Sequence, residues 1–175
     1  MQFNRRHTLA ASAALAAGTL LSRPVRAEEI DWSKIPQPGK TQNTKFAVNC
    51  EMWWRKLPFL DRIRAAADLG FPAFEFWPYQ GKDLAAIAKL ASDLKIEISQ
   101  FTAWGFEPGM NHPDNEDKAV KTIDEACKVA KDLSCKKMCV VAGNDQKGMT
   151  KEQMHAQVIK TLKRAAEVAA KHEVM

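Results

Sequence analysis

Glu75 is the residue whose type and position ask most plainly for a chemical role. It stands in Ala73-Phe74-Glu75-Phe76-Trp77, where strand alternation puts Ala73, Glu75 and Trp77 on one face and the two phenylalanines on the other. The phenylalanines suit contact with helices, which turns Glu75 inward, and a carboxylate there is costly unless it is paired or used. The ends of the other apolar runs repeat the theme. They are Asn49-Cys50-Glu51 followed by Trp53 and Trp54, Trp77-Pro78-Tyr79, Gln100-Phe101-Thr102-Ala103-Trp104, and Gly143-Asn144-Asp145. Aromatic walls with a few amides and carboxylates suit a small polyhydroxylated ligand, offering apolar faces and fixed hydrogen bonds. The candidate substrate pocket is therefore Asn49, Glu75, Trp77, Tyr79, Gln100, Trp104 and Asn144. Trp53, Trp54, Trp77 and Trp104 would gather at one mouth, unless these rings simply cover the core or a subunit interface.

Other reactive residue types are placed less suggestively. His112, in Asn111-His112-Pro113-Asp114, reads as a capping or surface residue, and His155 and His172 lie on or just after the last helix, away from the mouth. No pair of carboxylates and no His/Asp cluster has the spacing of a metal site. Cys50, Cys127, Cys135 and Cys139 show no CxxC spacing and read as small buried hydrophobes, with a disulfide left open.

The elements that must position these residues alternate. Strands are expected at Phe46–Asn49, Ala73–Trp77, Ile96–Phe101 and Met138–Ala142. Between them Leu60/Ile63/Ala67, Leu84/Ile87/Ala91/Leu94, Val120/Ile123/Cys127/Ala130 and Val158/Leu162/Ala165/Ala169 each mark one helical face. Gly70 fits a stop after the first helix, and Thr150-Lys151-Glu152-Gln153 a capping box at the start of the last. Strand then helix, four times over, predicts α/β with a parallel sheet. A small–x–acid–Leu pattern closes the first three helices at Ala66–Leu69, Ala91–Leu94 and Ala130–Leu133, so one supersecondary unit is reused. The segment after the fourth helix occupies the matching place, and a fifth strand is expected to be starting at Glu173. No glycine follows the first strand, which speaks against a dinucleotide-binding sheet. The expected fold is the N-terminal half of a (β/α)8 barrel, about four units, cut before strand five. A complete barrel takes about 250 residues.

Charge is uneven along the chain. The 175 residues hold 26 Lys+Arg against 21 Asp+Glu, a formal +5. Arg5, Arg6, Arg23 and Arg26 lie in residues 1–27, which contain no acid, so residues 28–175 carry only about +1. Arg5-Arg6 before the uncharged run Leu9–Leu21, with Val25-Arg26-Ala27 as a cleavage site, resembles a twin-arginine signal peptide. Thirteen such residues rise roughly 20 Å as a helix, short of a hydrocarbon core of about 30 Å. The expected organisation is a leader at 1–27, an exposed linker at 28–44 and the partial barrel at 45–175, with export to the periplasm.

Together these residues resemble the xylose-isomerase-like barrels, and within them the hydroxypyruvate isomerase branch. The matching stretches are Lys45–Asn49, Ala67–Phe76, Trp77-Pro78-Tyr79, Ala142-Gly143 and Thr150–Leu162, so the likeness runs from Lys45 to Met175. The resemblance implies a divalent metal such as Mg or Mn, chelated by substrate oxygens, and two glutamates that move a proton between adjacent carbons through an enediolate. For hydroxypyruvate the product would be tartronate semialdehyde. It also implies that the metal ligands and both catalytic glutamates come from strands five to eight, so this chain is expected to hold none of them. The alternatives are a sugar epimerase of the same superfamily and a non-catalytic carbohydrate-binding module. A small sugar or keto-acid substrate is the expected partner, with homo-oligomerisation left open and no membrane once the leader is removed. A nucleic-acid enzyme, the abasic-site endonucleases of the superfamily included, would need a basic track that a net charge near +1 does not supply.

Overall fold

The computed structural model describes residues 37–175; the expected leader and the first part of the expected linker lie outside the described residues. Four strand–helix units follow one another: β1 (Ala47–Asn49), α1 (Phe59–Asp68), β2 (Ala73–Phe76), α2 (Leu84–Leu94), β3 (Glu97–Trp104), α3 (Glu116–Asp132), β4 (Met138–Val140) and α4 (Lys151–Lys171). The strands form one sheet in the order β1-β2-β3-β4, each parallel to the next. Parallel neighbours need a crossover between them, and each crossover here is a helix. This is the expected α/β arrangement of the N-terminal half of a (β/α)8 barrel. Among the described residues no helix is long and apolar enough to cross a membrane.

The helices cover one face of the sheet. Phe74, Phe76 and Phe101 are fully buried there, with ring centroids 6.2 and 5.9 Å apart in successive stacked pairs. They join Ile63, Ile87 and Leu90 from α1 and α2. A second cluster, Trp104, Met110, Ala119, Ile123, Cys127 and Ala165, lies under α3 and α4. Each fully buried phenylalanine or isoleucine contributes about 1.5–3 kcal/mol relative to exposure. The ion network of Glu116 with Lys160 (2.8 Å) and Arg164 (2.6 Å) ties α3 to α4 at the margin of that cluster.

The sequence repeat has a geometric counterpart. Phe71 N–H donates to Ala66 O, Ile96 to Ala91, Cys135 to Ala130 and Val174 to Ala169, at 2.8–3.1 Å. The residue before each donor has positive φ: Gly70, Lys95, Ser134 and Glu173. Every helix thus ends in the same left-handed turn, with alanine five residues before an apolar residue that re-enters the core. After the fourth turn Met175 makes the two hydrogen bonds of a parallel bridge with the start of β4, accepting from Met138 N–H at 2.7 Å and donating to Lys136 O at 2.8 Å. Thr150 and Gln153 form the expected capping box.

Three differences from the sequence reading matter. β3 runs three residues past Phe101, because its later residues pair with β4. The linker is not wholly exposed: Gly39 is buried, its N–H donates to Leu69 O at 3.0 Å, and a Cβ there would fall 2.3 Å from Phe71 N. Trp53 and Trp54 pack on each other at 5.5 Å, and Trp53 reaches Phe71 at 6.2 Å, so neither joins the residues around Glu75.

Candidate functional site

The sheet face away from the helices carries a row of polar side chains. Asn49, Glu75 and Gln100 are direct register partners across β1, β2 and β3. Two irregularities in β3 create that row. Phe74 pairs with Ile98 and Glu75 with Gln100, so Ser99 is an extra residue, and its hydroxyl donates to Phe74 O at 3.0 Å. A bulge of this kind turns the following residues to the other face. Ile98 therefore enters the core while Gln100, two residues on, points to the opposite side. A second bulge, between Thr102 and Trp104, leaves Thr102 and Cys139 paired on the Glu75 side and sends Trp104 into the α3–α4 cluster.

The Glu75 carboxylate is held from both sides. Asn49 Nδ2 donates to Oε1 at 2.7 Å, and Gln100 Nε2 donates to Oε2 in a very short contact. Glu75 forms no ion pair among the described residues. Two neutral donors fix its orientation without cancelling its charge, and its remaining lone pairs stay available to a hydroxyl.

Glu75 and Gln100 lie in the wall of a cleft of about 690 Å³, together with Thr102, Cys139 and Val141. The loop after β2 adds Trp77, Pro78 and Gln80; the loop after β3 adds Gly105–Pro108; α3 adds Lys118 and Thr122. Of the seven predicted pocket residues, Glu75, Trp77, Gln100 and Trp104 line this cleft. Asn49 acts behind Glu75 instead of lining the cleft. Tyr79 turns away: its ring meets the edge of Phe101 at 5.5 Å, and burial, then the charge of Glu125, raise its phenol pKa.

Asn144 joins the loops at the mouth and does not line the cleft. Its Nδ2 donates to Glu107 Oε1 at 2.7 Å, and its backbone carbonyl accepts from Asn111 Nδ2 at 2.8 Å. Asn111 is buried and also takes a hydrogen bond from Gln146 Nε2 at 2.9 Å. The loops cross where Gly109 meets Gly143; a Cβ on Gly143, at φ +124°, would lie 2.4 Å from Gly109 Cα. On the other flank, Lys82 bonds Glu51 at 2.8 Å and sits 4.7 Å above the Phe59 ring, tying the loop after β1 to the loop after β2. Period-two spacing from Gln100 to Thr102 was a signal for the missed floor residue Thr102; Glu107 and Lys118 carry no comparable mark.

His112 is a cap, its Nδ1 accepting from Asp114 N–H at 3.3 Å, and His172 pairs with Asp124 at 2.9 Å. All four cysteines are free thiols; burial, chiefly, pushes Cys50 up to about 12 and also raises Cys127 and Cys135. Among the described residues no three His, Cys, Asp or Glu side chains come together in a way that could hold a metal ion. The sequence resemblance places the ligands of its divalent metal on strands five to eight, none of which is among the described elements.

The family described as xylose isomerase-like TIM barrel matches residues 63–175. A 2-oxo-tetronate isomerase of Pectobacterium atrosepticum is 32% identical over 136 residues, 74% of this chain and 52% of that protein. A hydroxypyruvate isomerase of Escherichia coli is 26% identical over 138 residues, 75% of this chain and 53% of that protein. The chain thus spans about half the length of the curated relatives it matches. Among solved structures, an AP endonuclease, family 2, from Brucella melitensis superposes with a TM-score of 0.68 at 23% identity, over 75% of this chain and 53% of that one. At that identity the likeness speaks for the fold alone.

Proposed function

Because the chain belongs to the xylose isomerase-like TIM barrel family, we propose that it forms the ligand-holding wall of an isomerase for a small hydroxylated keto acid. The reading is most like the hydroxypyruvate and 2-oxo-tetronate isomerases. One observation carries it: Glu75 sits in the wall of an open cleft, without a counter-ion among the described residues, and clamped by Asn49 and Gln100.

That arrangement suits a polyol. A carboxylate oxygen accepts from a ligand hydroxyl, and a charge-assisted hydrogen bond of this type is roughly twice as strong as a neutral one. Because both amides already fix the carboxylate, little side-chain freedom remains to be lost when the ligand arrives. Trp77 offers an apolar surface at the rim, as sugar-sized ligands require. Thr102 adds a hydroxyl on the same face. What the described residues contribute is to bind and orient the ligand.

Calorimetric titration of the chain with hydroxypyruvate, and separately with erythritol, tests this reading. Saturable binding of both, weakened about tenfold or more by Glu75→Gln, is the expected result. Heats unaltered by that substitution, or no binding up to tens of millimolar, contradict it. The arginine pair of the leader supports a second proposal, that the protein works after export to the periplasm. Fractionation of cells expressing the wild-type chain and an Arg5→Lys, Arg6→Lys variant tests it, with the variant expected to stay in the cytoplasm.

A further inference from the structure

Glu75 and Glu107 both line the cleft, and an asparagine beyond a neighbouring strand holds each in the same way. Asn49 Nδ2 donates to Glu75 Oε1 from the end of β1, and Asn144 Nδ2 donates to Glu107 Oε1 from the loop after β4, both at 2.7 Å. Neither glutamate forms an ion pair among the described residues. They stand on different elements, Glu75 on β2 and Glu107 in the exposed loop after β3.

The Glu107 contact is itself exposed, but the group behind it is not. Asn111 is only 4% exposed, and its Nδ2 donates to Asn144 O at 2.8 Å. Gln146 Nε2 bridges the two, donating to Asn111 Oδ1 at 2.9 Å and to Asn144 O at 3.1 Å. Downstream of Glu107 the chain is pinned residue by residue. Gly109 O accepts from Asn115 Nδ2 at 2.8 Å, Met110 O accepts from Thr161 Oγ1 at 3.1 Å, and Asn111 N–H donates to Ala142 O at 3.1 Å. Burying an amide costs free energy unless its hydrogen bonds are made, and apolar side chains of similar shape would join the loops without that cost. A satisfied buried network instead selects one arrangement of the groups it holds. The arrangement selected here is that of Asn144, and through Asn144 that of the Glu107 carboxylate.

We propose that Glu107 is a second acceptor for ligand hydroxyls, set at the cleft rim by Asn144, with buried Asn111 as the positioning residue behind both. A ligand held by Glu75 at one end and Glu107 at the other needs hydroxyls at both ends. The cleft therefore selects for where hydroxyls lie along the ligand, and not merely for their presence. This role rests on the reading above that Glu75 accepts a ligand hydroxyl, and it adds a specificity-determining residue from a loop.

Erythritol, hydroxylated on every carbon, and 1,2-butanediol, the same chain hydroxylated at one end only, are the probes. Calorimetric titration of the whole chain is expected to show erythritol bound about tenfold more tightly than the diol. Glu107→Gln should remove most of that margin while leaving diol affinity and the melting temperature unchanged. Asn111→Ala and Asn144→Ala should each weaken erythritol severalfold, yet add nothing in the Glu107→Gln background, because they act through that carboxylate. A general loosening of the loops would weaken erythritol in both backgrounds. Asn144 is exposed, so its variant carries the test even where Asn111→Ala fails to fold. Erythritol binding that is weakened by Glu75→Gln but untouched by Glu107→Gln overturns the rim acceptor and leaves the Glu75 reading standing. A loss from Asn144→Ala that persists in the Glu107→Gln background overturns the positioning role. Failure of the wild-type chain to bind erythritol overturns both readings.

Discussion

Asn49 and Glu75 are register partners on adjacent parallel strands, and the Asn49 side-chain amide donates to the Glu75 carboxylate at 2.7 Å. The bond runs along the same step as the backbone pairing, so the sheet itself sets its length. Gln100 reproduces the arrangement from the other side, but only because the extra residue Ser99 turns it toward Glu75. A charged group is thereby held rigid by neutral donors in a cleft, which is what separates a binding carboxylate from one consumed in an ion pair.

Replacing Glu75 should separate binding from folding. Glu75→Gln sets an amide against two amide donors, one of which must turn or lose its acceptor, at a cost of about 1–2 kcal/mol. The urea midpoint should fall modestly, whereas affinity for hydroxypyruvate should fall by about tenfold or more. A variant with full affinity would remove Glu75 from the site.

The phenylalanine stack should dominate stability. Phe101 is fully buried, 5.9 Å from Phe76 and 5.5 Å from Tyr79 between ring centroids. Phe101→Ala should cost about 3–5 kcal/mol in urea unfolding, and Phe101→Leu distinctly less.

The crossing of the mouth loops depends on a glycine pair. At Gly143 an alanine would meet both a positive φ and the backbone of Gly109, whereas at Gly81 only the positive φ opposes it, with nothing within 4 Å of the added Cβ. Gly143→Ala should therefore destabilise by about 2–3 kcal/mol and Gly81→Ala by about 1 kcal/mol, read from urea midpoints. Equal costs at the two sites would show that the loops do not meet as described.

Acid should loosen the contact between α3 and α4. Hydrogen bonds from Lys160, Arg164 and Gln157, in that order, hold the Glu116 carboxyl at about 2, below its ordinary 4.5. A carboxyl with a depressed folded-state pKa contributes stability that is complete above about pH 4.5 and lost as pH falls toward 2. Glu116→Gln should melt below the wild type at pH 6, with the gap closing between pH 4.5 and 2. A gap that is constant across that window would contradict the assignment.

The alternation of strands and helices was legible because each unit repeats one pattern, down to the alanines at 66, 91, 130 and 169 that accept the closing hydrogen bond of each helix. The inward turn of Glu75 was legible from its phenylalanine neighbours. Trp104 was legible as a residue of the cleft, but its packing into the α3–α4 cluster was not, because a bulge between Thr102 and Trp104 reverses its facing and strict alternation carries no sign of that shift. Tyr79 and Asn144 follow their strands closely in sequence, but loop geometry directs one to Phe101 and the other to Glu107. Lys118 had no local signature, since its place at the cleft depends on how α3 docks beside the loop after β3.

The central claim is that a small hydroxylated acid sits against the amide-clamped carboxylate, and side-chain amide NMR reads that contact directly. On titration of the labelled chain with hydroxypyruvate, the NH2 resonances of Asn49 and Gln100 should shift together and saturate at one common dissociation constant. Those of Gln157, on the far side of α3 and bonded to Glu116, should stay still. Unmoved Asn49 and Gln100 amides at saturating hydroxypyruvate would contradict the account.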